Sequence, residues 1–146
     1  MSVILEFLAT GFLVGKLPFA PGTFGTLVGI PIVLLLYLDR NLYLLGTLIS
    51  FFLGWISSEY MVQHLKEEDP EQVVIDEIVG YLMCFLFVEP TLKSLILAFV
   101  IFRVVDIFKP FPVGLFENFP GGLGVMMDDV VGGLITSVIL YLLLQY

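Results

Sequence analysis

The sequence predicts an all-α integral membrane protein, a bundle of about five to six helices. Hydrophobic residues make up 59% of the 146 residues, and the mean hydropathy is +1.06. Ordinary soluble domains are about 45–50% apolar. Runs such as residues 27–38 also lack the polar outer face that a helix on the surface of a soluble protein needs. The length leaves room for a single domain, which we place at residues 1–146.

Charges, prolines and glycines divide the chain into six apolar segments, and we predict a helix in each. The first covers residues 3–15 and ends where two prolines and a glycine interrupt it. The others are predicted at residues 23–38, 42–63, 73–88, 92–108 and 129–146. A spanning helix needs about 20 residues, which only the third and sixth segments provide comfortably. The first is too short to count as a span and is a candidate for a re-entrant or interfacial segment.

Basic residues are distributed unevenly between the two faces of the predicted bundle. Alternate spans place loops 16–22, 64–72 and 109–128 on one face, and loops 39–41 and 89–91 on the other. The first face has Lys16, Lys66, Arg103 and Lys109, whereas the second has Arg40 and Lys93. Because cytoplasmic loops carry the excess of basic residues, we expect the first face to be cytoplasmic. All the unusual charged motifs lie on that face.

Two adjacent pairs of carboxylates interrupt otherwise apolar sequence. Asp76 and Glu77 lie within the fourth segment, and Asp128 and Asp129 open the sixth. Ionisable groups within a membrane are rare and usually functional, although Asp128 and Asp129 could instead cap a helix start. Four converging carboxylates require a counter-ion, and hard oxygen ligands favour Mg²⁺ or Mn²⁺. We therefore predict a metal site, with Glu59 as a weaker candidate ligand.

Three charged residues share one side of the fifth helix. Arg103, Asp106 and Lys109 follow one another at a spacing of three. Arg103 and Asp106 could form an ion pair within the helix while Lys109 reaches to the membrane surface. Alternatively, the two basic residues could form a cationic clamp on a phosphate group. We favour the clamp, because an acidic metal site alone would repel an anionic substrate.

Two glycine-bearing segments precede helices on the same face. One runs from Pro21 through Thr23, a candidate N-cap, and the other from Gly121 to Gly124. Free N–H groups at helix starts bind phosphate oxygens, although glycines also permit close helix packing in membranes. Lys16, in the loop before the second helix, is a further candidate for phosphate binding.

Several classes of function are excluded or disfavoured. The single Cys84 rules out an internal disulfide and a cysteine metal cluster. Basic residues are too few for a nucleic-acid partner, and no serine nucleophile elbow or Walker loop occurs. Metal-assisted attack of water on a phosphate ester remains. The alternatives are a small ion- or proton-coupled transport protein and a non-catalytic scaffold. Transport sites lie near the membrane midplane, whereas these charges cluster at helix ends.

Four segments, in this order, resemble the phosphatidylglycerophosphatase A family. They are Pro-Phe-Ala-Pro-Gly-Thr-Phe-Gly-Thr at 18–26, Asp-Pro and Val-Ile-Asp-Glu-Ile-Val-Gly within 69–80, Phe-Arg-Val-Val-Asp-Ile-Phe-Lys-Pro-Phe-Pro at 102–112, and Gly-Gly-Leu-Gly-Val-Met-Met-Asp-Asp at 121–129. The resemblance implies a Mg²⁺-dependent bacterial membrane phosphatase that converts phosphatidylglycerophosphate to phosphatidylglycerol. Together with the distribution of basic residues, it implies a multi-pass protein of the bacterial cytoplasmic (inner) membrane, with its active site towards the cytoplasm.

The resemblance and the residue patterns together give one expected site. Its catalytic acids are Asp76, Glu77, Asp106 and Asp129. Its Mg²⁺ ligands are Asp76, Glu77, Asp128 and Asp129, with Glu59 as the weaker candidate. Its phosphate-binding residues are Lys16, Thr23, Arg103 and Lys109. One carboxylate that does not bind the ion is expected to act as the general base.

Overall fold

The computed structural model describes residues 2–144, which form seven α-helices and a short 3₁₀ turn without any strand. The helices are α1 (Val3–Ala9), α2 (Pro21–Leu36), α3 (Arg40–Leu65), α4 (Ile75–Met83), α5 (Leu92–Phe108), α6 (Val113–Phe116) and α7 (Gly121–Leu144), and the 3₁₀ turn is Val14–Lys16. The predicted all-α fold is confirmed. The predicted end of the last helix at Tyr146 lies outside the described residues.

Helix α7 is the centre of the bundle and packs against α3, α4, α5 and α6. Its buried side includes small residues, among them Gly132, Gly133, Thr136 and Ser137. The Thr136 hydroxyl donates to the carbonyl of Gly132, 2.8 Å away, so this polar group is satisfied within the helix. Small side chains allow neighbouring helices to approach closely, which increases van der Waals contact. The interior of the bundle therefore forms around α7.

Helices α4 and α7 cross at two glycines. A Cβ atom on Gly80 would lie 2.8 Å from the carbonyl oxygen of Asp129, and a Cβ on Gly133 would overlap the carbonyl oxygen of Gly80. The two backbones are therefore in direct contact, which no larger residue would permit. Because Asp76 and Glu77 lie one turn before Gly80, the crossing brings both carboxylates next to Asp129.

Two predicted helix ends need correction. α4 ends at Met83 rather than continuing to Val88, and α1 ends at Ala9 rather than near Gly15. Side chains of α3 satisfy carbonyl groups at the end of α4 and just after it. The Tyr43 hydroxyl donates to the carbonyl of Leu82, and Arg40 donates to the carbonyls of Phe85 and Leu86. These tertiary hydrogen bonds replace those of a longer helix.

The start of the last helix also differs from the prediction. α7 begins at Gly121, so Asp128 and Asp129 lie about two turns inside it rather than in its first turn. They therefore cannot cap its N-terminus. The short helix α6 lies in the segment 109–128 that was predicted to be a loop. Glycines near residue 121 indicated a loop because glycine disfavours helix interiors, but tertiary packing decides the structure here.

Within residues 2–144, two helices are long and apolar enough to cross a membrane by length and composition. They are α3, with 26 residues, and α7, with 24 residues. These correspond to the third and sixth predicted segments, the two that were expected to span comfortably. α2 is a shorter apolar helix of 16 residues.

Candidate active site

One cavity at an end of the bundle collects the charged residues of four separate segments. Its volume is about 440 Å³. The charged residues that line it are Asp69, Glu71, Asp76, Glu77, Arg103, Asp106, Lys109, Asp128 and Asp129. Residues 18–22, which lead into α2, form another part of its wall. The structure thus brings together five of the indicated carboxylates and two of the indicated cations, whereas Glu59 and Lys16 do not line this cavity.

A first group of carboxylates in this cavity has no basic partner among residues 2–144. One oxygen each from Asp76, Glu77 and Asp129 lie within 4.8 Å of one another. Asp76 is 6% exposed and Asp129 is 2% exposed. Asp76 Oδ1, Glu77 Oε2 and Asp129 Oδ1 are buried without a hydrogen-bond partner in the described part of the chain. Buried carboxylates so close together repel one another unless a cation or a proton intervenes.

A second group shares Asp129 with the first but is largely neutralised. One oxygen each from Asp106, Asp128 and Asp129 lie within 4.8 Å of one another. Arg103 Nη1 donates to Asp106 Oδ2 at 2.6 Å, and Lys109 Nζ donates to Asp128 Oδ2 at 2.6 Å. The two cations offset the repulsion of this group. The greatest uncompensated negative charge therefore lies around the first group.

Lys109 reaches the site because of where α5 ends. Lys109 follows Phe108, the last residue of α5, and adopts a left-handed conformation with φ of 47°. Partial burial by itself would lower the pKa of Lys109, but the hydrogen bond and charge of Asp128 outweigh burial and raise that pKa above its ordinary value. The ammonium therefore stays protonated. The Arg103–Asp106 ion pair, which was the alternative to the favoured phosphate clamp, is present, and Lys109 pairs with Asp128 of α7.

The start of α2 borders both the first carboxylate group and Arg103. A Cβ atom on Gly22 would lie 2.9 Å from Glu77 Oε1 and 3.3 Å from Arg103 Nη1. Arg103 Nε is buried and has no hydrogen-bond partner among the described residues. The first N–H groups of a helix lack partners within that helix and favour anions. Gly22 and Arg103 thus leave donors available beside the cavity.

Three of the expected site residues lie elsewhere. The N-cap of α2 is Ala20, so Thr23 lies inside the helix, and it does not line the cavity. Lys16 lines an adjoining cleft and forms an ion pair with Glu6. Glu59 is outside both carboxylate groups. Its side chain instead accepts a hydrogen bond from the backbone of α7.

Three acidic residues near the site, Asp69, Glu71 and Glu117, were not predicted to belong to it. Asp69 lines the cavity, although its position before Pro70 indicated only a turn. Glu117 lies in the segment between α6 and α7, with Oε2 3.8 Å from Lys109 Nζ. The Asp-Pro dipeptide within the second resembling segment was the available signal for Asp69. No local pattern marks Glu117, because the position of this segment depends on tertiary structure.

Comparisons with known proteins identify the family of the chain. The family model for phosphatidylglycerophosphatase A matches residues 7–144. Phosphatidylglycerophosphatase A of Escherichia coli is 35% identical over 144 residues, covering 97% of this chain and 84% of the relative. The Haemophilus influenzae protein of the same name is 35% identical over 147 residues, covering 97% of this chain and 89% of the relative.

A further relative carries a different name. It is the Bacteroides thetaiotaomicron protein named "Putative phosphatidylinositol-3-phosphatase", which is 38% identical over 147 residues, covering 95% of this chain and 92% of the relative. No solved structure matches the chain. The family model and the near-complete coverage of the relatives lead to one conclusion. The chain belongs to the phosphatidylglycerophosphatase A family, a family of phosphoric monoester hydrolases.

Proposed function

We propose that this chain hydrolyses the terminal phosphomonoester of phosphatidylglycerophosphate, giving phosphatidylglycerol and phosphate in phospholipid biosynthesis. The observation that carries the proposal is a single cavity holding both an uncompensated carboxylate group and two cations. Such a cavity has one part suited to a metal ion and another suited to a phosphate. The names of the Escherichia coli and Haemophilus influenzae relatives support the lipid substrate.

The first carboxylate group fits Mg²⁺. Asp76, Glu77 and Asp129 offer hard oxygen atoms, and each has an oxygen without a hydrogen-bond partner in the described structure. These three residues would hold the ion, while Asp128 is engaged by Lys109. When bound, Mg²⁺ polarises a phosphoryl oxygen and lowers the pKa of a coordinated water molecule.

The residues of the chain perform the remaining steps. Arg103, Lys109 and the N–H of Gly22 hold the phosphate and offset the negative charge that develops during the reaction. A carboxylate that does not bind the ion accepts a proton from the attacking water. A bond forms between the water oxygen and phosphorus, and the bond between phosphorus and the glycerol oxygen breaks. The carboxylate returns the proton to the leaving glycerol oxygen, which becomes a hydroxyl group of the phosphatidylglycerol headgroup.

The outer surface supports a location within the cytoplasmic membrane. On α5, Ile96, Val100, Val104 and Ile107 form an outward stripe, with exposures of 50–64%. Only 28% of the apolar window of α3 is buried within the bundle. Contiguous exposed apolar surface of this kind requires a partner, and lipid is the simplest partner for helices of this length. The acyl chains of the substrate would then stay in the bilayer while its headgroup reaches the cavity laterally.

Ion- or proton-coupled transport remains the alternative function, and the geometry disfavours it. The charged cavity lies at one end of the bundle rather than near its middle, where transport sites are found. Arg103 and Lys109 also lie inside the cavity, where they would oppose the passage of a cation.

Phosphate release by the purified protein tests the proposed function. We expect release from phosphatidylglycerophosphate, no activity in excess EDTA, and recovery on addition of Mg²⁺. Phosphatidylinositol 3-phosphate and phosphatidic acid serve as comparison substrates, and kcat/KM is measured for each. Full activity in the chelator would exclude the metal-assisted reaction. Cleavage of phosphatidylinositol 3-phosphate alone would replace the proposed substrate.

The orientation in the membrane is tested by labelling single cysteines in intact cells. Glu71, Asn118 and Asn41 are all exposed, whereas Cys84 is fully buried. In a Cys84→Ser background, Glu71→Cys and Asn118→Cys should react only after the cytoplasm is opened to the reagent. Asn41→Cys should react from outside, because it lies at the opposite end of the bundle. The reverse labelling pattern would place the active site on the outer face.

A further inference from the structure

Glu59 of α3 holds the N-terminus of α7. Its Oε2 atom accepts a hydrogen bond from the backbone N–H of Gly122 at 2.6 Å, and its Oε1 atom accepts one from Gln63 Nε2 at 2.8 Å. We propose that Glu59 is a positioning residue, which sets the location of Asp128 and Asp129 by anchoring the helix that carries them. This inference rests on the proposed function, and it assigns Glu59 a role other than the metal ligation predicted from sequence.

The first residues of α7 lie in close contact with both the side chain and the backbone of Glu59. Gly121 has φ of +65°, and a Cβ atom there would overlap the carboxylate of Glu59. A Cβ on Gly122 would overlap the backbone nitrogen of Glu59 and lie 2.8 Å from the carbonyl oxygen of Trp55. The first turn of α7 therefore rests directly on the backbone of α3. A hydrogen bond at this point restrains both the axial position and the rotation of α7.

Electrostatics add to the hydrogen bond. The first N–H groups of a helix lack intrahelical partners and carry partial positive charge. A carboxylate that accepts from one of them forms a charge-assisted hydrogen bond, which is about twice as strong as a neutral one. Asp128 lies six residues after Gly122, or about 9 Å along a helix with a rise of about 1.5 Å per residue. A shift of the first turn is therefore transmitted to both aspartates of α7.

Small shifts of these aspartates are expected to matter. Asp129 belongs to both carboxylate groups. Within each group, one oxygen atom from every residue lies within 4.8 Å of the others. A displacement of about 1 Å in a catalytic group can cost about 100-fold in rate, even when its cause is distant from the reaction. Outer residues that orient metal ligands typically contribute about 10–100-fold to metal affinity or activity. Glu59 thus acts on the reaction through α7.

Substitution of Glu59 by glutamine and by alanine separates three possible roles. Glutamine keeps a carbonyl oxygen that can accept from Gly122 but is a poor ligand for Mg²⁺, whereas alanine removes the acceptor. If Glu59 positions α7, Glu59→Ala should lower kcat about 10–100-fold with KM nearly unchanged. Glu59→Gln should restore kcat to within about fivefold of the parent, because its hydrogen bond to α7 remains. Gln63→Ala is the control, since it removes only the other partner of Glu59.

Mn²⁺ affinity and thermal unfolding are measured on the same purified proteins. We expect Glu59→Ala to weaken Mn²⁺ binding by about tenfold, while Glu59→Gln and Gln63→Ala bind as the parent does. Equal loss of Mn²⁺ binding in both Glu59 variants would make Glu59 a ligand and overturn the proposal. A lower unfolding temperature for Glu59→Ala with unchanged kcat and Mn²⁺ affinity would also overturn it. If the parent releases no phosphate, the proposed function fails, yet the Mn²⁺ affinities still decide the role of Glu59.

Discussion

Replacing Asp129 with asparagine is expected to lower kcat/KM by at least about 100-fold, the upper end of the range for disturbed metal sites. Asp129 is the only described residue that belongs to both carboxylate groups, and its Oδ1 atom is buried without a partner among the described residues. The substitution therefore weakens ion binding by the first carboxylate group. It also alters the second group, which lies beside Arg103 and Lys109. Phosphate release from phosphatidylglycerophosphate at saturating Mg²⁺ is the measurement.

The Asp129→Asn protein should remain folded. Removing a negative charge from a crowded group of buried carboxylates relieves repulsion in the ion-free protein, so its unfolding temperature should be unchanged or raised. Asp39→Asn is a matched control, because Asp39 is exposed and caps α3 at the opposite end of the bundle. An Asp129→Asn protein with normal phosphate release would show that the first carboxylate group does not serve the reaction.

Replacing Arg103 with lysine is expected to lower kcat/KM by about 10–100-fold. A hydrogen bond to a charged group contributes about 1.5–3 kcal/mol, and about 1.4 kcal/mol corresponds to a factor of ten in rate. Lysine keeps the positive charge but cannot bind a phosphate through two parallel N–H groups while also donating to Asp106. Arg103 Nε, which has no partner in the described chain, would be lost as a donor.

Two further measurements identify the cause of that loss. Lys66→Arg, at the exposed C-terminus of α3, controls for exchanging the two basic residues away from the cavity. Mn²⁺ affinity without substrate should stay the same or increase in Arg103→Lys, because Arg103 contacts Asp106 and not the first carboxylate group. Normal turnover in Arg103→Lys would make the arginine only a structural partner of Asp106. The phosphate would then be bound by Lys109 and the start of α2.

The sequence indicated most of the charged residues that line the cavity, because their setting is chemically unusual. Carboxylates inside apolar segments have few structural explanations, and the cavity contains Asp76, Glu77, Asp106, Asp128 and Asp129. The spacing of Arg103 and Asp106 likewise indicated a possible ion pair within one helix, the alternative to the favoured clamp, and the two groups are 2.6 Å apart. Local patterns were sufficient wherever the interaction itself was local or the residue type was rare in its surroundings.

The incorrect predictions concern features that depend on tertiary contacts. The glycines at the start of α7 indicated a loop, but they permit the helix to pack directly on α3 at Glu59. The early end of α4 depends on Arg40, which is 45 residues before the Phe85 carbonyl that it contacts. Lys16 faces Glu6 rather than the cavity, because the 3₁₀ turn after α1 directs this segment back along its own helix. The relative positions of the partners in these contacts depend on the folded chain and cannot be inferred from the local sequence.

Mn²⁺ binding to the substrate-free protein, followed by electron paramagnetic resonance, tests the central claim most directly. The claim is that Asp76, Glu77 and Asp129 hold the ion, whereas Asp128 is occupied by Lys109. The parent should bind Mn²⁺, Asp129→Asn should bind it at least about 100-fold more weakly, and Asp128→Asn should change the affinity by less than about tenfold. Unchanged Mn²⁺ binding in Asp129→Asn, or loss of binding only in Asp128→Asn, would contradict the account.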